Sequence, residues 1–180
     1  MNLIHRSQIQ MLATLQVFGI LALASFATLD RAEESSVEAL KARIEGVYVL
    51  QEWHRHGEIF RPPLVDARTV LLNGHIMFIS HDWAQEPNKT TVAGYGIYIL
   101  EPGKFSYRYE RSSMVTQTAA GTSVSENLPW EGLRPFATSI ENNEIRFRAK
   151  NGPREFRFTA GGMSYSDGNQ VRVYRRVTDK

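Results

Sequence analysis

The stretch Val92–Ser113, VAGYGIYILEPGKFSYRYERSS, constrains the fold more than any other part of the chain. Pro102-Gly103 marks a tight turn between two long runs. In the second run Phe105, Tyr107 and Tyr109 alternate with Ser106, Arg108 and Glu110, the period of two that belongs to a strand. In the first run Tyr95, Ile97 and Ile99 alternate with Gly94, Gly96 and Tyr98, and the glycines leave room for a backbone or a ligand to come close. The stretch is expected to be a hairpin with its large aromatics turned to one side, one piece of an antiparallel meander.

From Gly46 onward almost everything is strand or turn. Gly46–Arg55 is the first long strand, and Arg68–Asn73 and His75–Asp82 flank Asn73-Gly74, a strong hairpin signal. Arg134–Ile140 and Glu144–Ala149 surround Glu141-Asn142-Asn143, and Arg154–Ala160 follows Asn151-Gly152. Met163–Ser166 is a short strand, and Gln170–Val177 closes the chain after Asp167-Gly168-Asn169. Met114–Pro129, rich in Ser, Thr, Gly and Ala, is expected to be a loop. Ser35–Glu45 is the one short helix: Ser35 and Glu38 have capping-box spacing, Leu40 and Ile44 share a face, and Gly46 ends it. A long twisted sheet with no helix to cover it most economically closes on itself. The expected fold is therefore all-β, an up-and-down antiparallel β-barrel of about eight to ten strands with a short N-terminal capping helix.

Composition narrows the setting. A chain of 180 residues is one domain's worth, with 42% hydrophobic and 22% charged residues. The net charge of +2 lacks the clustered basic charge of a nucleic-acid interface, so no nucleic-acid partner is expected. The absence of cysteine excludes disulfides, thiolate metal sites and a cysteine nucleophile. Residues 1–27 have the pattern of an export signal. His5 and Arg6 precede an apolar run from Met11 to Leu23, and small residues at Ala22, Ala24, Ser25 and Ala27 suit cleavage after Ala24 or Ala27. The alternative is an uncleaved anchor, since Met11–Leu29 is long enough to span a bilayer. The expected organisation is a signal peptide over 1–27, an N-terminal segment with the helix over 28–45, and the barrel over 46–178. The mature protein would be exported, periplasmic or secreted, with no membrane span.

Three local patterns carry a resemblance. Gly46-Val47-Tyr48 follows the capping helix; Gly94-Tyr95-Gly96-Ile97-Tyr98 precedes Pro102-Gly103 and a long aromatic strand; and Val173-Tyr174-Arg175-Arg176-Val177 ends the chain. Together, over about Gly46 to Val177, they resemble the bacterial lipocalin-like domain family, small barrels of the calycin type. The resemblance implies a barrel that holds an apolar or amphipathic small molecule. It also implies that Arg176 packs on Tyr48 and seals the barrel floor through a cation–π contact.

Two constellations could carry chemistry. Glu52, His54 and His56 fall at i, i+2 and i+4 on the first strand, on the face of Tyr48 and Leu50, so Glu52 and His54 are expected to point into the barrel. A strand His-x-His with a carboxylate can ligate zinc, with His75 or His81 as a further ligand, or can simply line a wet rim. The second constellation is aromatic: Phe105, Tyr107, Tyr109, Phe136, Phe147, Phe156 and Phe158 either fill the interior or wall a cavity. The expected ligand-binding residues are Tyr48, Glu52, His54, Tyr95, Tyr107, Tyr109, Arg111, Phe136 and Phe147, with no cofactor, no metal and no catalytic residue. The alternative is a small barrel enzyme, an acid–base isomerase or cyclase or a metal-assisted one, using Glu52 and His54 with Tyr107, Tyr109 or Arg111 opposite. A structural envelope protein is a third possibility.

Overall fold

A computed structural model describes residues 36–85 and 87–178. A helix covers 36–44, and the barrel body begins at Leu40 within it. Twelve strands follow: β1 Gly46–Arg55, β2 Glu58–Phe60, β3 Val65–Leu72, β4 His75–Gln85, β5 Asn88–Glu101, β6 Lys104–Thr118, β7 Gly121–Asn127, β8 Arg134–Glu141, β9 Glu144–Ala149, β10 Glu155–Phe158, β11 Gly162–Ser166 and β12 Gln170–Arg176. Ten of them form the wall, in the order β1-β3-β4-β5-β6-β8-β9-β10-β11-β12, and β12 pairs back onto β1 to close it. Every pairing is antiparallel between neighbours in this ring, so the fold is the expected up-and-down barrel. The strands β2 and β7 stand off the ring, on β1 and β6 respectively.

The turns explain why the meander runs so directly. Asn73 and Gly74 both take positive φ (51° and 79°), as do Asn142 and Asn143 (49° and 64°), the conformation that a two-residue hairpin needs to match strand twist. Met114–Pro129 is not the expected loop. The strand β6 continues to Thr118, turns, and returns as β7, so most of that segment is a hairpin. All seven residues of β7 are exposed, which explains why its sequence lacks an apolar alternation.

The turns at 73–74, 102–103 and 142–143 gather at one end with the helix. There the core is solid. Tyr48, Leu50, Ile44, Leu71, Ile76, Phe105, Ile145, Phe147 and Phe158 are all nearly or fully buried, and Phe147 stacks on Phe105 with centroids 4.4 Å apart. Tyr48 and Arg176 are cross-strand partners, but the expected cation–π seal is absent. The Tyr48 hydroxyl donates to the Ile44 carbonyl at 2.7 Å. Arg176 instead donates to the carbonyls of Ala42, Arg43 and Glu45 at the end of the helix. Those carbonyls have no partner within the helix, so a guanidinium satisfies them and complements the dipole at once. Arg43 donates to the Asn143 carbonyl at 2.7 Å, and Glu45 accepts from the Asn73 amide at 2.7 Å and from the Tyr98 hydroxyl, so the helix end plugs the floor.

Candidate functional site

Above the floor the barrel opens into a cavity of about 210 Å³. One side, on β3 and β4, combines the short side chains of Ala67, Thr69 and Ser80 with Ile76, Phe78 and Ile79. The other side carries Tyr107 and Tyr109 of β6, Phe156 of β10, Met163 and Tyr165 of β11, and Arg172 and Tyr174 of β12. Where Ala67, Thr69 and Ser80 face the tyrosines, space stays open that aromatic rings fill at the floor. Trp130, in the connection from β7 to β8, reaches the site because its amide donates to the Tyr109 carbonyl at 3.0 Å. Its ring then packs against Tyr109 and Tyr107, with centroids 4.9 and 5.5 Å away. Arg134 and Arg154 complete the lining.

Burial pushes the Tyr109 phenol well above its ordinary value, and the neighbouring phenols of Tyr107, Tyr165 and Tyr174 add to that, against the pull of Arg172. Tyr107 and Tyr174 are raised for the same leading reason, and Tyr174 lies within hydrogen-bond reach of Thr69 and Arg172. The site thus offers neutral hydroxyls and guanidinium groups on apolar walls, the arrangement that orients a ligand's polar end while its body sits among rings. Wider concavities, such as the one of about 360 Å³ between His54–Ile59 and Gly168–Val171, lie outside this aromatic interior.

The expected site residues divide sharply. Tyr107 and Tyr109 line the cavity. Tyr48, Phe136 and Phe147 point inward but belong to packed core, with Phe136 wedged against Phe105, Tyr107 and Phe156. Glu52, His54, Tyr95 and Arg111 do not reach the cavity, and in three of these four cases a β-bulge is the reason. In β1, Leu50 pairs with Tyr174 and Glu52 with Val173, so Gln51 is an extra residue and the alternation inverts. Trp53 and Arg55 turn inward and are buried, while Glu52 and His54 turn outward. There His54 bonds Glu52 at 2.7 Å, and Arg61 donates to the same carboxylate; these hydrogen bonds hold the Glu52 carboxyl below its ordinary range. In β6, Tyr95 pairs with Arg111 and Gly96 with Tyr109, so Glu110 is the extra residue. Arg111 is consequently outside, ion-paired with Glu126 of β7 at 2.8 Å. Tyr95 is 48% exposed because the inward set on β5 is Gly94, Gly96 and Tyr98, not the alternate one.

The glycines of β5 serve the backbone rather than a ligand. A Cβ on Gly96 would sit 1.9 Å from the Arg108 carbonyl oxygen, and one on Gly94 would sit 2.7 Å from the Phe78 ring. The histidines do not converge either. His56 sits in the turn after β1 with φ of 52°, and His81 bonds Thr91 at 2.9 Å. Among the described residues no group of three or more His, Asp or Glu side chains is placed to hold a metal ion. Arg134, Arg154, Tyr165, Arg172, Tyr174 and Trp130 are site residues that strand periodicity did not identify. For β12 the signal was present: Arg172, Tyr174 and Arg176 share a face, against Val171 and Val173 on the other. Polar residues there face in and valines face out, the reverse of the usual pattern.

The chain is a closed antiparallel ten-stranded barrel around an aromatic-walled cavity, which is consistent with a calycin-like fold. Comparison with known protein families, with curated proteins and with solved structures gives no match.

Proposed function

We propose that the protein is an exported lipocalin-like binder that takes an apolar or amphipathic small molecule into the upper half of the barrel. The observation that carries this reading is the cavity itself: about 210 Å³ left open by Ala67, Thr69 and Ser80 in a barrel whose other half is packed solid. Its walls combine aromatic rings with hydroxyl and guanidinium groups that can orient a ligand's polar end. The acid–base alternative needs Glu52 and His54 opposite Tyr107, Tyr109 or Arg111, and of these only the two tyrosines line the cavity. Export is part of the proposal and rests on the pattern of residues 1–27, which lie outside the described residues.

The test is native mass spectrometry of the protein purified from its own host and then exposed to a mixture of aliphatic and aromatic acids and alcohols. A bound mass is expected in the wild type and its loss in Ser80→Phe, where the new ring occupies the cavity. Retention of the same mass by a folded Ser80→Phe protein, or uptake of nothing by the wild type, would overturn the reading.

A further inference from the structure

We propose that the cavity selects a small amphiphile with a carboxylate head group, held by Arg134, Arg154 and Arg172. This rests on the small-molecule reading above and names the ligand's chemical class. The lining contains these three arginines and no Asp or Glu. Arg55 shows how the same fold treats a cation that it neutralises itself. Arg55 is 8% exposed, bonds both oxygens of Asp82, and lies over the rings of Trp53 and Phe60 at 4.8 and 4.6 Å. No described carboxylate forms an ion pair with Arg134, Arg154 or Arg172.

What those arginines touch are mainly rings, with the Tyr174 hydroxyl as a further partner of Arg172. The Arg134 guanidinium lies 3.2 Å from the centre of the Trp130 ring, and that of Arg172 lies 4.0 Å from the Trp53 ring. Stacking uses the flat face of the group, while its N–H donors point outward in the plane, in the fork that matches a carboxylate. The Arg172 Nε is fully buried and has no acceptor. A buried donor without a partner is costly, and a ligand anion removes that cost. Burial, and after it the Asp167 carboxylate, raise the Tyr165 phenol, and all three arginines oppose them, so the three charges lie near one hydroxyl at the site. Carboxylates nearby are committed elsewhere. Glu155 bonds Arg148 and Arg157, and Asp167 accepts from the Asn169 amide and from Gln170.

Volume decides the size of the body. About 210 Å³ is below the range of roughly 300–1,000 Å³ for drug-sized ligands, so a long acyl chain does not fit inside. A carboxylate is the smallest oxyanion head group and leaves most of that space to a short chain or a single ring.

The test is titration calorimetry of the full chain with octanoate, octan-1-ol and octylamine as probes. Octanoate should bind at least about tenfold more tightly than octanol, with octylamine weakest, since charged hydrogen bonds discriminate by that much or more. Arg172→Gln and Arg154→Gln should each lower octanoate affinity about tenfold or more, and octanol affinity by a clearly smaller factor, because a neutral hydroxyl loses only an uncharged acceptor's bond. Arg154 is exposed, so its variant carries the test if Arg172→Gln folds poorly. Equal affinity for octanoate and octanol would overturn the carboxylate assignment while the small-molecule reading stands. Binding of none of the three probes would overturn both.

Discussion

At the scale of single residues, Gln51 has the largest consequence, because its insertion reverses the facing of everything after it in β1. Glu52→Gln and His54→Gln are therefore expected to leave ligand uptake unchanged, since both side chains lie on the outer face. Loss of uptake in either variant, measured by the same titrations, would place them back at the site. Tyr48 is the opposite case, fully buried and bonded to the Ile44 carbonyl. Tyr48→Phe should cost about 0.5–1.5 kcal/mol for the hydrogen bond, and Tyr48→Ala about 3–5 kcal/mol for the ring, read from urea denaturation. Gly96 is set by close approach: the added methyl of Gly96→Ala meets backbone on β6, which cannot move as a side chain can. That variant should lose about 1–3 kcal/mol or more. Gly57→Ala, where nothing lies within 4 Å, should lose only the left-handed backbone preference, about 1–2 kcal/mol.

At the scale of elements, the wall and its appendages differ in what holds them. The strand β7 pairs only with β6 and buries none of its residues, so it contributes ladder hydrogen bonds but no core. Replacing residues 116–123 by a short turn should leave the barrel folded, with a denaturation midpoint close to that of the full chain. A large drop would mean that the outer hairpin supports the wall. The helix end is the contrasting element. Arg176, Arg43 and Glu45 tie it to the last strand and to two floor turns, which makes the closed end of the barrel a single hydrogen-bonded unit.

At the scale of the molecule, a barrel half filled with aromatics carries a pH signature. Burial raises the Tyr48 phenol to about 12 from an ordinary 10.0, and those of Tyr107, Tyr109 and Tyr174 are raised as well. In the unfolded chain these phenols ionise near pH 10, below their folded values, so the unfolded state loses protons first. Stability is then fully present below about pH 10 and falls as pH rises through about 12. Tyrosinate absorbance should rise together with loss of the fold; full ionisation near pH 10 with the barrel intact would contradict the burial. The proposed export has its own check, because N-terminal sequencing should find the mature chain starting at Ser25 or Thr28. Recovery of Met1 on a membrane-bound chain would favour the anchor.

Strand period and turn chemistry are local, and they were legible. Asn73-Gly74, Pro102-Gly103 and Glu141-Asn142-Asn143 place their hairpins, and the alternation of Phe105, Tyr107 and Tyr109 marks the inner face of β6. Closure followed as well, since a long meander without covering helices has two edges to bury. The facing of Glu52, His54 and Arg111 could not be read in this way. A bulge is one unpaired residue whose position depends on the partner strand, and β1 meets its partner β12 from the far end of the chain. The cavity is more distant still from any local pattern. It exists because Ala67, Thr69 and Ser80 on one wall face tyrosines of β6, β11 and β12 and Arg172 of β12, and only the closed ring brings those residues across from one another.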